Sequence, residues 1–235
     1  MEDLKVMTKE VASDVLEGII DANRDKLMDY AKLLGLANSR ARLTGPADPK
    51  CIFDEHIVDC LAALQLIPSN VRIVDIGTGG GLPGLVWAVC RSDVFIDLLD
   101  SVGKKCLVLE EMVRSLNLEN VRVHCSRAEE FASSNKGLYD LAAARAVSHL
   151  GVLLEYFSPL VRRGGSCMAF KGPKGFEELE EFEGKEEKLG WSGLEIWSYE
   201  VAGKKLYLFT WKKVKDAQIS VPRRVGIPER RPWWR

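Results

Sequence analysis

The sequence predicts an α/β protein: a mostly parallel, seven-stranded sheet with a closing antiparallel hairpin and an N-terminal helical extension. Three observations carry this. Short, β-branched apolar runs alternate with helical patterns from residue 71 onward, as expected of parallel strands wound by right-handed crossovers. The first of those runs leads straight into a cluster of glycines that opens a helix. Near the end, two apolar runs at 194–199 and 205–211 are separated by Val201, Ala202, Gly203 and Lys204, which predicts the hairpin.

Taken in order, residues 8–35 place Val11, Val15, Leu16, Ile19, Leu27, Met28, Ala31 and Leu34 at three- and four-residue intervals. That spacing predicts one or two amphipathic helices stopped by Gly35. A polar stretch with Gly45-Pro46 and Asp48-Pro49 follows, then a second helix from about Cys51 to Leu66, stopped by Pro68. Strands are predicted at 71–76, 94–100, 121–125, 139–146 and 165–171, with helices at 83–91, 103–116 and 149–161 between them. Residues 176–188 hold seven acidic and two basic residues and read as the solvated face of a helix. The expected organisation is a helical extension packed on the core (1–67), the sheet domain (68–213) and a basic, proline-containing tail (214–235).

Composition narrows the function. A chain of 235 residues supports one sizeable core, and 46% hydrophobic with 29% charged residues excludes disordered and disulfide-scaffold classes. With 33 basic against 34 acidic residues, affinity for nucleic acid must come from local patches. Six scattered cysteines and three histidines form no metal-ligand spacing, so no metal is expected and the thiols read as reduced core residues of a cytoplasmic protein. The start lacks the apolar core of a signal peptide, and no run of about 18 apolar residues predicts a membrane span.

VRIVDIGTGGGLPG (71–84) is the most informative stretch. Glycines let the backbone take positive φ and approach a ligand, and the helix behind them favours polar or negative groups, so a nucleotide-like ligand in a Rossmann-like fold is expected. Two readings overlap. Gly79, Gly81 and Gly84 satisfy the dinucleotide pattern G-x-G-x-x-G. Asp75, Gly77, Gly79 and Gly81 satisfy acidic-x-G-x-G-x-G, in which the carboxylate orients the loop and the amino-acid end of S-adenosylmethionine. The second is the better match, because Asp75 would repel a pyrophosphate and attract an ammonium. Asp100 ends the second strand, where a carboxylate accepts from ribose hydroxyls; Asp97 lies mid-strand and reads as structural. Ser126-Arg127-Ala128-Glu129 reads equally as a capping box and as a lip for the base.

With these residues in view, the chain resembles the glucose-inhibited division protein B family, the bacterial small-subunit ribosomal RNA methyltransferases that act on guanine N7. The resemblance rests on RLTGPADP (42–49), EHIVDC (55–60), VDIGTGGGLPG (74–84), LLDSVGKK (98–105), SRAEEF (126–131), ARAVSHL (144–150), FKG (170–172) and the tail VPRRVGIPERRP. It departs from the family's usual Asn-Leu-Thr at Arg42-Leu43-Thr44, and from Arg-His-x-x-Asp-Ser at Glu55 to Cys60. The likeness implies a class I S-adenosylmethionine-dependent methyltransferase whose cofactor pocket is lined by Gly77, Leu82, Ala128, Glu129 and Arg145, with Asp100 on the ribose. It also implies 16S ribosomal RNA or the small subunit as partner, with no membrane and, as we expect, a monomer.

Guanine N7 carries no proton to remove, so in-line transfer to it needs alignment and no general base. No N/D-P-P-Y/F run follows the fourth strand; Arg145 stands there. Arg145 and Lys171 are expected to position the guanosine, whereas His56 and Asp59, one helical turn apart, read first as structural. Arg223, Arg224, Arg230 and Arg231, with Trp233 and Trp234 as stacking surfaces, are expected to bind RNA, followed by Lys104 and Lys105. The competing readings are a small-molecule or protein methyltransferase of the same fold, a dinucleotide oxidoreductase, and a non-enzymatic RNA-binding protein.

Overall fold

The structure is a computed structural model that describes residues 8–45 and 47–235. Residues 1–7 and Pro46, and with them part of the predicted turn at Gly45-Pro46, lie outside the described residues. Among the described residues eight strands form one sheet in the order β1-β7-β8-β6-β5-β2-β3-β4. The strands are β1 Thr8–Glu10, β2 Arg72–Ile76, β3 Phe95–Asp100, β4 Val121–Cys125, β5 Tyr139–Arg145, β6 Val161–Lys171, β7 Trp191–Val201 and β8 Lys204–Lys213. From β6 through β5, β2 and β3 to β4 every neighbour is parallel, and β8 runs antiparallel between β6 and β7.

The eighth strand corrects the expectation of seven. β1 pairs parallel with β7, Thr8 opposite Ile196 and Glu10 opposite Ser198, at the edge that β7 would otherwise leave open. Three exposed residues carry no alternation to betray a strand, and it is the free edge that recruits them. The hairpin turn is also tighter than expected. Ala202 and Gly203, both at positive φ, join Val201 to Lys204 as a two-residue connection that suits the sheet's twist.

Helices cover both faces. On one side lie α1 Ser13–Ala41, a broken helix, α4 Gly84–Cys90 and α5 Gly103–Ser115; on the other α6 Ala128–Ser134, α7 Leu150–Phe157 and α8 Gly175–Glu180. Gly35 does not stop α1, which buries Leu27, Tyr30, Ala31, Leu34 and Ala37 and runs on to Ala41. A Cβ at Gly35 would lie 2.5 Å from the Ala47 carbonyl oxygen, so the glycine is there for close packing. The second predicted helix is broken as well: α2 Pro49–Ile52, a π-turn at Phe53–Ile57, α3 Val58–Leu61 and a 3-10 turn at Leu64–Leu66. The acidic segment is no single solvated helix either, since Leu179 and Phe182 are buried in the second core.

The tail does not hang free. Past β8 the chain crosses the α7 side, forms the short α9 Ile227–Arg230, and buries Trp233 and Trp234. Trp233 Nε1 donates to the Gly151 carbonyl (2.8 Å), and Trp234 stacks on His149 with ring centroids 4.9 Å apart. The two tryptophans are therefore core residues and offer no stacking surface to RNA, correcting that expectation. The tail composition is basic, but a large indole gains more from burial than an arginine-rich context can oppose. Among the described residues, no helix is long and apolar enough to cross a membrane.

Candidate functional site

Two clefts open side by side at the carboxyl ends of the parallel strands, where such sheets place their ligands. The first, of about 270 Å³, is lined by Ile76, Gly77, Leu99, Asp100, Ser101, Val102, Lys105, Ser126, Arg127, Ala128, Glu129, Ala146, Val147, Tyr156 and Glu229. The second, of about 440 Å³, is lined by Asp59, Arg145, Ala146, Val147, Ser148, Phe170, Lys171, Gly172, Tyr199 and Leu206. Ala146 and Val147 line both. Ala146 has φ +57°, a region a residue with a Cβ enters at some cost, so the wall between the clefts carries backbone strain of the kind found at functional sites.

The glycine loop frames the first cleft. Gly77 takes φ +67°, and a Cβ there would meet Val147 Cγ2 at 2.5 Å, so its lack of a side chain lets the wall residue close over the end of β2. Gly79, at φ +58°, donates its N–H to Asp100 Oδ2 (3.0 Å), and Val102 N donates to Asp100 Oδ1 (2.9 Å). Asp100 thus ties the loop to the start of α5 while lining the cleft.

Asp75 acts on the loop from beneath. It is fully buried beneath the loop, accepting from Thr78 Oγ1 (2.6 Å) and Gly84 N (2.8 Å), and it does not line the cleft. Its other oxygen has no partner, and burial pushes its pKa up to about 6 against those two hydrogen bonds. It holds the loop on the helix, one part of the role expected of it. Leu82 and Gly81 likewise sit behind the lining, with Gly81 against Leu85. From the other side Tyr30 of α1 donates to the Gly80 carbonyl (2.8 Å), a support that sequence reasoning missed.

Ala128 and Glu129 line the first cleft, but the capping box does not form. Arg127 is the N-cap of α6 without a side-chain bond, and Glu129 Oε1 accepts from Gly226 N of the tail (2.9 Å). Asp97 is a structural hub, holding Arg72, His124 and Tyr139 inside the sheet.

Arg145 ends β5 and lines the second cleft, next to the wall that the two clefts share. Its Nε donates to Asp59 Oδ2 (2.6 Å) and Nη2 to His56 Nδ1 (2.8 Å), while Tyr199 donates its hydroxyl to Asp59 Oδ1 (2.6 Å). A guanidinium can only donate, so Nδ1 of His56 is unprotonated and the neutral ring carries its proton on Nε2. Burial, then Arg145, holds the His56 pKa below its ordinary value. The π-turn over Phe53–Ile57 sets His56 and Asp59 on the side facing Arg145. EHIVDC carried that signal; Tyr199, on a closing strand, carried none. Lys171 also lines this cleft, with Nζ 2.6 Å from the Ser148 carbonyl and 2.7 Å from Glu178 Oε2.

The expected RNA contacts divide. Arg223 is committed: Nε and Nη2 each lie 2.6 Å from the carboxylate of Glu155, itself 2% exposed. It anchors the tail and does not belong to a free cationic face, because the buried carboxylate needs it. Arg224, Arg230, Arg231 and Lys104 are exposed, and Lys105 is half-buried in the lining of the first cleft.

The first cleft suits S-adenosylmethionine. Its lining holds the half-exposed, apolar Val102 and the carboxylates of Asp100 and Glu229, an acceptor set for a base and ribose that carry hydrogen-donating groups. Among the described residues no His, Cys, Asp and Glu cluster could hold a metal.

Comparison with known proteins agrees on fold and family. TrmN of Thermus thermophilus superposes with a TM-score of 0.53 at 18% identity, covering 67% of this chain and 49% of that one. The tRNA methyltransferase TrmI of Aquifex aeolicus gives 0.52 at 17%, covering 68% and 69%. At this level of identity the likenesses are of the fold alone. The ribosomal RNA small subunit methyltransferase G of Carboxydothermus hydrogenoformans is 37% identical over 86% of this chain and 88% of the relative. That of Desulforamulus reducens is 32% identical over 99% of each. The family model of the rRNA small subunit methyltransferase G matches residues 23–206, and the chain belongs to that family.

Proposed function

We propose that this chain transfers a methyl group from S-adenosylmethionine, held in the first cleft, to N7 of a guanosine of 16S ribosomal RNA presented in the second. When bound, the cofactor supplies a methyl group activated by a sulfonium. The observation that carries the choice of N7 is the closed network of the second cleft. Asp59 already accepts from Arg145 and Tyr199, His56 Nδ1 accepts from Arg145, and Glu178 accepts from Lys171 and Leu150 N. Asp59, the one carboxylate that lines this cleft among the described residues, is paired with Arg145, so the cleft offers no free general base and suits a nucleophile that already has its lone pair and no proton to lose.

What remains is alignment. Arg145, fixed on two sides, and Lys171 present cations beside the wall of Ala146 and Val147, suited to hold the guanine O6 or a phosphate; in-line transfer gains its rate from such positioning. RNA reaches the site over cations at the rim: Lys104 and Lys105 at the start of α5, and the exposed Arg224, Arg230 and Arg231 of the tail. Incubating the protein with methyl-labelled S-adenosylmethionine and ribosomal RNA, either naked or in small subunits, and digesting to nucleosides tests this. Label in 7-methylguanosine is expected. Label in any other nucleoside, or none with either substrate, contradicts it.

A further inference from the structure

The last fifteen residues return to the first cleft and are fastened there at several points. Arg223 grips the buried Glu155, and its Nη1 also donates to the Arg231 carbonyl (2.8 Å), bracing the two ends of the strap against each other. Gly226 N donates to Glu129, and Trp233 docks on Gly151. This bracing carries Glu229 to the cleft, where it joins Ser126, Arg127, Ala128 and Glu129 in the lining. The carboxylates of Glu129, Glu229 and Glu155 stand close enough to add to burial in raising the pKa of Tyr156. Of the three, Glu155 holds Arg223 and Glu129 holds Gly226 N. Glu229 is exposed and makes no hydrogen bond or ion pair among the described residues.

Asp100, whose oxygens are used by Gly79 N and Val102 N, stands at the end of β3, and Glu229 comes from the tail, with the apolar Val102 among the lining residues. An ionised carboxylate only accepts hydrogen bonds. The base of an adenosine has one hydrogen-donating group, its exocyclic amine. We propose that Glu229 accepts from that amine, so that the C-terminal strap completes the methyl-donor site and makes it selective for adenine. The inference rests on the reading of the first cleft as the site for S-adenosylmethionine.

Calorimetric titration with S-adenosylhomocysteine and with its 6-deamino counterpart, which carries purine in place of adenine, tests it without turnover. The native protein should prefer the adenine compound by about tenfold or more, the scale of a hydrogen bond to a charged acceptor, and Glu229→Ala should bind the two within about twofold of each other. Glu229→Gln, which keeps an accepting oxygen, should retain part of the preference. Glu229 is exposed, so both variants should melt with the native protein. Equal binding of the two compounds by the native protein, or an unchanged ratio in Glu229→Ala, overturns the role of Glu229. Failure of S-adenosylhomocysteine itself to bind overturns the reading of the cleft instead.

Discussion

The two clefts that meet at Ala146 and Val147 are built in opposite ways. The first is made largely of backbone: a glycine loop, the ends of β2, β3 and β4, and N–H groups collected by Asp75 and Asp100. The second is made of long side chains from distant parts of the sequence, with Arg145 of β5, His56 and Asp59 of the broken helix and Tyr199 of β7 locked in one hydrogen-bonded cluster. The glycine loop of the first cleft is continuous in sequence, while Glu129 and Glu229 reach its lining from far along the chain. A charge network fixes one cation at the cleft wall, and it places several ionisable groups at stake at once.

The largest expected effect comes from breaking that network. Asp59→Ala leaves the Arg145 side chain, only 16% exposed, without its carboxylate, and Tyr199 without its acceptor. Removing one partner of a buried pair costs about 3–5 kcal/mol, read as a lower midpoint in urea denaturation. A variant as stable as the native protein would show that the network is solvated and that the contrast between the clefts is false.

The backbone cradle should reveal itself through pH. The buried Asp75 has its pKa raised from the ordinary 3.8 to about 6, so the folded state binds its proton more tightly than the unfolded one. That contribution is complete below pH 3.8 and is lost as pH rises through 6. The stability of the native protein relative to Asp75→Asn, which cannot ionise, should fall by about 1 kcal/mol between about pH 5 and pH 8. A constant difference, or one that grows with pH, would mean that Asp75 is not buried beneath the loop.

The smallest effect on stability is expected at the rim. Replacing the exposed Arg224, Arg230 and Arg231 together by Gln should leave the melting temperature alone. The salt dependence of RNA binding should flatten by up to about 0.7–0.9 log units of slope for each phosphate that is no longer neutralised. Parallel salt plots for the two proteins would remove the tail from the RNA surface.

How much of this was legible follows from the same contrast. The alternation of strands and helices, the loop and Asp100 were readable because each carries a local signal: a strand or helix period, a run of glycines, and a carboxylate at the end of a strand. The eighth strand was not, since β1 exists only because β7 offers it an edge. Gly35 reads locally as a helix stop, and only the approach of Ala47 explains it. Tyr199 stands 140 residues from Asp59, and nothing in a strand pattern announces such a pair. The tail misled for a related reason: its arginines and tryptophans look like an RNA-binding end, yet Arg223, Trp233 and Trp234 are absorbed by Glu155 and the α7 face.

The division of work between the clefts is tested most directly at Arg145. Arg145→Lys keeps the cation and loses the fork that spans His56 and Asp59, so affinity for S-adenosylhomocysteine, by calorimetry, should stay within about twofold of the native value. Single-turnover methylation of ribosomal RNA should slow by about a hundredfold, the scale of a misaligned reactant. Parallel losses in affinity and rate, or a native rate, would contradict the division.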